Sequence, residues 1–441
     1  MNLPALPTSR TLPTPIALPD ATPPDAAGPR QSGERSLPLA EAEARARSAA
    51  AVLGLDVDLA PVLDESPGTW RCVLSRAGLD LPTSLGLGKG NREEAHAGAL
   101  FEALEHYLSG VDELDPAGIL LARAHALAEG PLARDLAVRL LGEGPDHSVG
   151  CLPYHSLTGE PDTDVPLFLS MPEYLRPAGA PARRAAGDAY DYRVVGRYSV
   201  NNGWAAGADP VEATVHAINE LIERDAHSLL LVEQFLRPRP GPLAVVDPDT
   251  LPTDLVALLD AATAHTGRRP HLIDMTTDLD VPAYAAYLPA PAGRPARICG
   301  WGASLSRRYA IARALTELVQ LHSTVGLRER YAHLLPEQRD DTGPHPHLRA
   351  CRLSDFTPAL ASAIRRPFRD TRVPDTPRGH LDRLLGLLRE RGLAVYRREH
   401  HVTLDLAVVN VLVPALERFV LVTDGQVVVP GERGMAVLHR A

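Results

Sequence analysis

The chain is nearly without lysine. Among 441 residues only Lys89 carries an ammonium side chain, and arginine supplies the other 44 of the 45 basic positions. Cysteine is sparse: Cys72, Cys151, Cys299 and Cys351 are widely scattered and no CxxC pair occurs. That argues against a structural zinc site, and nothing at this size calls for a disulfide framework. No apolar run is long enough to span a bilayer, and no basic stretch leads into an apolar one at the N-terminus. Neither a membrane span nor a signal peptide is therefore expected, and a cytoplasmic location is. The formal net charge is −10 with no basic block, which argues against a dedicated nucleic-acid binder. Three catalytic signatures are also missing. There is no GxxxxGK[ST] phosphate loop, no HExxH metal helix and no GxSxG nucleophile elbow. The histidines of "PHPH" (His345, His347) and "EHH" (His400, His401) lack helical metal spacing and read as surface loop or strand residues.

What is present is a chain that is 45% hydrophobic, ample for a sizeable core. Residues 1–38 contain nine prolines and few residues that could form a packed face, so a disordered or extended tail is expected there. The catalytic domain is expected over 39–441, beginning with the helix "LAEAEARARSAAAVLG". Helical patterns cover 91–109, 210–232, 252–265, 307–322 and 379–391. Strand-like runs are "PLFLSM", "RVVGRYSV", "LAVVD", "HLIDM", "AYAAYL", "LAVVNVLV" and "FVLV". This mixed order implies an α/β or α+β fold with helices covering sheet faces. Residues 335–378, rich in Pro, Asp, Arg and His, read as a long irregular loop.

Three of the helices carry the chemistry. In "NREEAHAGALFEALEHYLSG", Asn91 and Glu94 form a capping-box pattern, and Glu94, Gly98, Glu102 and Glu105 share one stripe. In "GADPVEATVHAINELIERDAHSLLL", Asp209 caps and Pro210 takes the first helical position. His216, Glu220, Glu223 and His227 form its stripe, and Arg224 follows Glu220 by four. In "GWGASLSRRYAIARALTELVQLHS", Arg313, Glu317 and Gln320 share a face. Each helix follows a glycine-bearing stretch.

Packed side by side, these helices would bring Glu102, Glu105, Glu220, Glu223 and Glu317 together. Converging carboxylates repel unless cations neutralise them, and carboxylate oxygens suit Mg²⁺, which also holds water and substrate phosphates. Lys89, Arg224 and Arg313 would then face the phosphates. The bland alternative is that Glu220–Arg224 and Arg313–Glu317 are surface i,i+4 ion pairs. Spacing alone does not decide between the two.

These segments resemble the YcaO family of ATP-dependent enzymes that modify peptide backbones. "GKGNREEAHAGALFEALEHY", "NNGWAAGADPVEATVHAINELIERDA" and "GWGASLSRRYAIARALTELVQ" carry the resemblance, with weaker support from "DMTTDLDVPAYAAYL" and "VVNVLVPALERFVL" in the family's order. It spans roughly residues 84–425. It implies a YcaO fold with ATP and Mg²⁺ between the motif helices. Glu102, Glu105, Glu220, Glu223 and Glu317 match metal positions, and Lys89, Asn202, Arg224, Arg313 and Gln320 match nucleotide-contacting ones. His216 matches a motif position whose role is as readily helix packing. No residue is assigned as a general base.

The reaction that the resemblance implies is phosphorylation of a backbone amide oxygen after a nucleophile adds. The leading expectation is cyclodehydration of Cys, Ser or Thr to azolines in a ribosomally made precursor peptide. Thioamide or amidine formation is the alternative, and a non-catalytic nucleotide- or peptide-binding scaffold a further one. Two departures bear on this. Gly98 stands where the family usually has serine, and the sequence closes on "GERGMAVLHRA" rather than the proline-rich tail frequent in azoline formers. With no cysteine-rich module for leader-peptide capture, a separate partner protein is expected to recognise the precursor. Many relatives are dimers, but no pattern here marks a homodimer interface.

Overall fold

A computed structural model describes residues 33–289, 298–327 and 340–440. The expected tail up to residue 32 lies outside these residues. From Gly33 onward the chain is packed against the body, with Glu34 only 8% exposed.

Three sheets organise the fold. The first is an antiparallel meander of β1 (Asp56–Leu63), β2 (Gly68–Arg76) and β3 (Leu79–Gly90). The second, in order, is β4 (Leu120–Arg123), β5 (Ser148–Ser156), β13 (Tyr396–Val402), β14 (Ala407–Leu412) and β7 (Trp204–Gly207), with β6 (Thr163–Pro166) also on β5. The third runs β11 (Ile298–Ala303), β10 (Ala283–Leu288), β9 (His271–Asp274), β8 (Ala244–Asp247) and β12 (Ile364–Pro367). The principal helices are α1 (Leu39–Val52), α2 (Arg92–Leu108), α3 (Pro210–Leu231), α4 (Thr253–Thr266), α5 (Arg307–Ser323), α6 (Pro377–Glu390) and α7 (Glu432–Leu438).

Local chemistry starts the three motif helices. Asn91 accepts from the Glu94 amide at 3.0 Å and Glu94 returns a bond to the Asn91 amide at 2.9 Å, which closes the capping box. Asp209 caps α3 by accepting from Val211 and Glu212, and Ser306 caps α5 by accepting from Tyr309 at 3.2 Å.

Gly86 and Gly88 ahead of α2, and Gly300 and Gly302 ahead of α5, do something other than turn the chain. They lie within strands and let helix backbone come down on strand backbone. A Cβ at Gly86 would sit 2.2 Å from the Ala99 carbonyl, and one at Gly88 would sit 1.7 Å from the Ala95 carbonyl. Gly300 and Gly302 repeat the device against Ala314 and Ala310, at 2.1 and 2.2 Å. Spaced two apart on a strand, each pair faces a helical alanine row spaced by four, so β3–α2 and β11–α5 are two copies of one packing unit.

Several expectations need correction. "PLFLSM", "RVVGRYSV" and "FVLV" are not strands; their cores form 3₁₀ turns at Leu167–Leu169, Val195–Tyr198 and Phe419–Asp424. A short apolar run without alternation reports burial, not conformation. Residues 340–378 are not one irregular loop either. They hold helices Pro346–Leu353 and Thr357–Leu360 and the strand β12. Residues 328–339 lie outside those described.

Candidate active site

α3 is the axis of the site. It packs on β14 and β7, against α6, and against β11, with 15 of its residues buried. Its half-buried stripe of His216, Glu220, Glu223 and Arg224 faces α2 and α5. α2 lies on β3 and also touches β7, and α5 lies against both β11 and β3. The hydrogen bonds follow this arrangement. Glu102 accepts from the Leu87 amide on β3, and Glu105 accepts from the Ala206 amide on β7.

Lys89, on β3, reaches across to α5 and pairs directly with Glu317, 228 residues away in sequence. Its neighbours Gly86 and Gly88 face α2, so the alternation of the strand turns Lys89 toward α5. The expected Arg313–Glu317 pair along α5 does not form. The other i,i+4 pair does: Arg224 meets Glu220 at 2.7 Å. Gly98 faces the same strand, and a Cβ there would lie 3.3 Å from Gly88 Cα. A Cβ at 98 would ask the backbone beside Lys89 to give by only a few tenths of an ångström.

The electrostatics record the convergence. Burial raises Glu105 well above the ordinary carboxylate range, and Glu220 and Glu102 push it further, against the Ala206 amide and Arg224. Glu223 is raised to about 7 by burial and by Glu317 and Glu220, against the pull of Arg313 and Lys89. Glu102 is raised by burial and by Glu317, with His106 and Lys89 opposing. For Arg224 and Arg313 burial disfavours the charge. Glu220 and Glu223 more than offset it for Arg224; Tyr309, Glu223 and Glu317 do so for Arg313. His216 is held neutral by burial, helped by Arg313, Arg35 and Lys89. Each of the five carboxylates and three cations therefore senses at least one other group of the set on a different element.

Asn202, just before β7, is buried. Its carbonyl accepts from the Asn410 amide at 3.2 Å, and Asn410 in turn accepts from Tyr154 at 2.8 Å. The Asn202 Oδ1 has no hydrogen-bond partner among the described residues. Gln320 is buried near the end of α5, where its carbonyl takes the Ser323 and Thr324 hydroxyls.

No three His, Cys, Asp or Glu side chains among the described residues already form a metal cage. Mg²⁺ usually takes only some of its ligands from carboxylates and completes its shell with phosphate oxygens and water. Glu105 and Glu223, raised by burial and by each other's neighbours, are the groups a bound cation would relieve.

Residues 87–417 match the family described as YcaO cyclodehydratase, ATP- and Mg²⁺-binding. The chain belongs to the YcaO family. ATP and Mg²⁺ are that family's cofactors.

An uncharacterised protein from the tfuA 3′ region of Rhizobium leguminosarum bv. trifolii is 27% identical over 259 residues, covering 55% of this chain and 57% of its own length. Among solved structures, YcaO from Methanopyrus kandleri bound with AMPPCP and Mg²⁺ aligns with a TM-score of 0.58 at 21% identity, covering 88% of this chain and 93% of its own. A heterocyclase in complex with substrate and cofactor gives 0.58 at 19% identity, covering 87% and 53%. At these identities the two structures establish the fold. This chain spans little more than half of the Rhizobium protein and of the heterocyclase. Among the described residues no helix is long and apolar enough to cross a membrane.

Two sets of contacts beside the candidate site are not legible in the sequence. Glu34 and Arg35 fall in the stretch expected to be a tail, where proline content hid their contacts. Arg433, on α7, pairs with the fully buried Asp225, the residue after Arg224 on α3, and with Asp278. The salient "ERDA" segment holds Asp225, but nothing in the sequence names its partner 208 residues on.

Proposed function

We propose that this YcaO protein activates a peptide backbone amide with Mg²⁺ and ATP, and that the product is an azoline formed from Cys, Ser or Thr of a ribosomally made precursor peptide. The observation that carries the amide-activation reading is the convergence of five carboxylates from α2, α3 and α5 on Lys89 and Arg224, with Glu223 raised to about 7. Glu102, Glu105, Glu220, Glu223 and Glu317 would hold the metal. Lys89, Arg224 and Arg313 would neutralise phosphate oxygens, and the unpaired Asn202 amide oxygen is free to take a donor from the nucleotide. When bound, ATP supplies the phosphoryl group that turns an amide oxygen into a leaving group once the nucleophile has added. The protein's own contribution is positioning and charge neutralisation, as in other phosphoryl transfers. His216, held neutral, can serve as a hydrogen-bond partner beside Arg313 but not as a standing cation.

A further solved structure, the E. coli microcin synthetase McbBCD complex with pro-MccB17 bound, aligns with a TM-score of 0.53 at 13% identity, covering 82% of this chain and 88% of its own; with the substrate-bound heterocyclase it favours a precursor substrate handled together with a partner protein. The test is reconstitution with precursor peptide, partner and ATP, read by mass spectrometry. Loss of one water per ring supports azoline formation. Exchange of oxygen for sulfur, with a sulfide source, moves the product to a thioamide. An unchanged peptide with the full partner set, or Glu220→Gln activity equal to wild type, would sink the catalytic reading.

A further inference from the structure

Residues 33–36 touch all three walls around the outer side of the site. Gly33 lies against the backbone just ahead of α6, where a Cβ would come 2.4 Å from the Pro374 carbonyl. Glu34 turns inward and is 8% exposed. Its Oε1 accepts from the Ser304 hydroxyl, in the turn between β11 and α5, and its Oε2 accepts from Asn219 of α3 at 3.4 Å. His380 of α6 stands with Nδ1 3.8 Å from the same carboxylate, while its Nε2 donates to the Pro374 carbonyl at 2.9 Å. The next two residues clasp the first turn of α3. Arg35 and the Ser36 amide donate to the two oxygens of Glu212, each at 2.9 Å, and Glu212 is 4% exposed.

This contact network is wired to the site. Ser304 donates to Glu34 and accepts from the Ser306 amide at 3.0 Å, and Ser306 caps α5. Two turns along α5 is Arg313. Asn219 precedes Glu220 on α3, and Glu212 lies one turn before His216. Arg35 shares a small cleft with His216, Tyr309 and Arg313.

We infer that residues 33–36 form a strap that fixes α5 relative to α3, and that Glu34 is a positioning residue of the nucleotide site. Glu34 itself touches no carboxylate of the metal set. It bonds Ser304, in the turn that opens the helix of Arg313, and Asn219, on the helix of Glu220 and Glu223, and its charge also favours the Arg313 cation. Without the carboxylate, Ser304 and Asn219 lose their shared partner.

The inference rests on the Mg²⁺–ATP reading, and the experiment separates the two. Full-length wild type, Glu34→Ala, Glu34→Gln and Ser304→Ala are titrated calorimetrically with a non-hydrolysable ATP analogue at fixed Mg²⁺, and their melting temperatures are recorded. Glu34→Ala should weaken nucleotide binding about tenfold, the scale of coupling through a shared hydrogen-bond network. Glu34→Gln should bind nearly as wild type. Its oxygen still accepts from Ser304, and Asn219, whose Oδ1 has no partner among the described residues, can turn to accept the new amide. Ser304→Ala removes one donor and should weaken binding in the same direction by a smaller factor, which keeps the inference testable if Glu34→Ala does not fold. Arg134→Ala breaks the exposed Arg134–Glu432 contact elsewhere and should leave affinity unchanged. Wild-type binding with Glu34→Ala and Ser304→Ala equally tight would overturn the strap alone. Glu34→Gln as weak as Glu34→Ala would also overturn it. No binding by wild type would overturn the nucleotide reading and the strap's role with it.

Discussion

Replacing Gly88 by alanine tests the packing on which the site depends. The added Cβ would lie 1.7 Å from the Ala95 carbonyl oxygen and 2.5 Å from the Ala99 amide, where ordinary contact begins at 3.4 Å. Both neighbours are helix backbone, so neither can swing aside as a side chain would. α2 as a whole must retreat from β3 and loosen Ala95, Ala99 and Ala103, which are fully buried. Forced overpacking of this kind costs about 3 kcal/mol, at the upper end of its usual range.

Gly98→Ala adds the same methyl group across the same interface from the helix side. Its Cβ would stand 3.3 Å from Gly88 Cα, which asks for a shift of only a few tenths of an ångström. Alanine also gains about 0.8–1 kcal/mol over glycine within a helix, so this variant should be neutral or slightly stabilised. Urea denaturation of both proteins gives the comparison. Because α2 carries Glu102 and Glu105, nucleotide affinity should fall in Gly88→Ala and hold in Gly98→Ala. Equal stability of the two variants would refute the argument that strand glycines set the helix–strand distance.

Three further outcomes are expected. Lys89→Arg keeps the charge but exchanges a compact ammonium for a larger planar fork in the gap to Glu317; the KM for ATP should rise about tenfold with the melting temperature little changed, and normal turnover would mark the lone lysine as an accident of composition. Glu223 is raised from 4.5 to about 7 in the folded protein, so its contribution to stability is present below 4.5 and is lost as pH rises through 7. Nucleotide-free wild type should therefore lose stability relative to Glu223→Gln between those values, while Mg²⁺ affinity rises over the same window; a pH-independent difference would contradict the assignment. Arg433→Met strands the fully buried Asp225 carboxylate and should cost about 3–5 kcal/mol in denaturant unfolding, with much of it recovered in the Asp225→Asn, Arg433→Met double variant.

The parts legible in the sequence are those set within a few residues. The starts of α2 and α3 follow from Asn91 and Asp209, whose side chains satisfy amides two or three positions on. The carboxylate stripes follow from helical periodicity alone. The meander of β1–β3 went unread because glycine, proline and charge interrupt its alternation, although it carries Lys89. The strap went unread because a proline-rich stretch offers no apolar period, and its contacts are polar bonds to residues more than 170 positions away.

The sequence by itself determined which acids share a helical face, because that depends only on rise and rotation per residue. It also placed Arg224 and Arg313 on helices that end up around the site. Which groups meet was a tertiary decision. Lys89 passes over α2 and takes Glu317, and Glu317 is thereby kept from the Arg313 that spacing offered it. Glu105 senses Glu220 because α2 and α3 both pack on β7, and the separation this sets decides how strongly buried like charges raise one another.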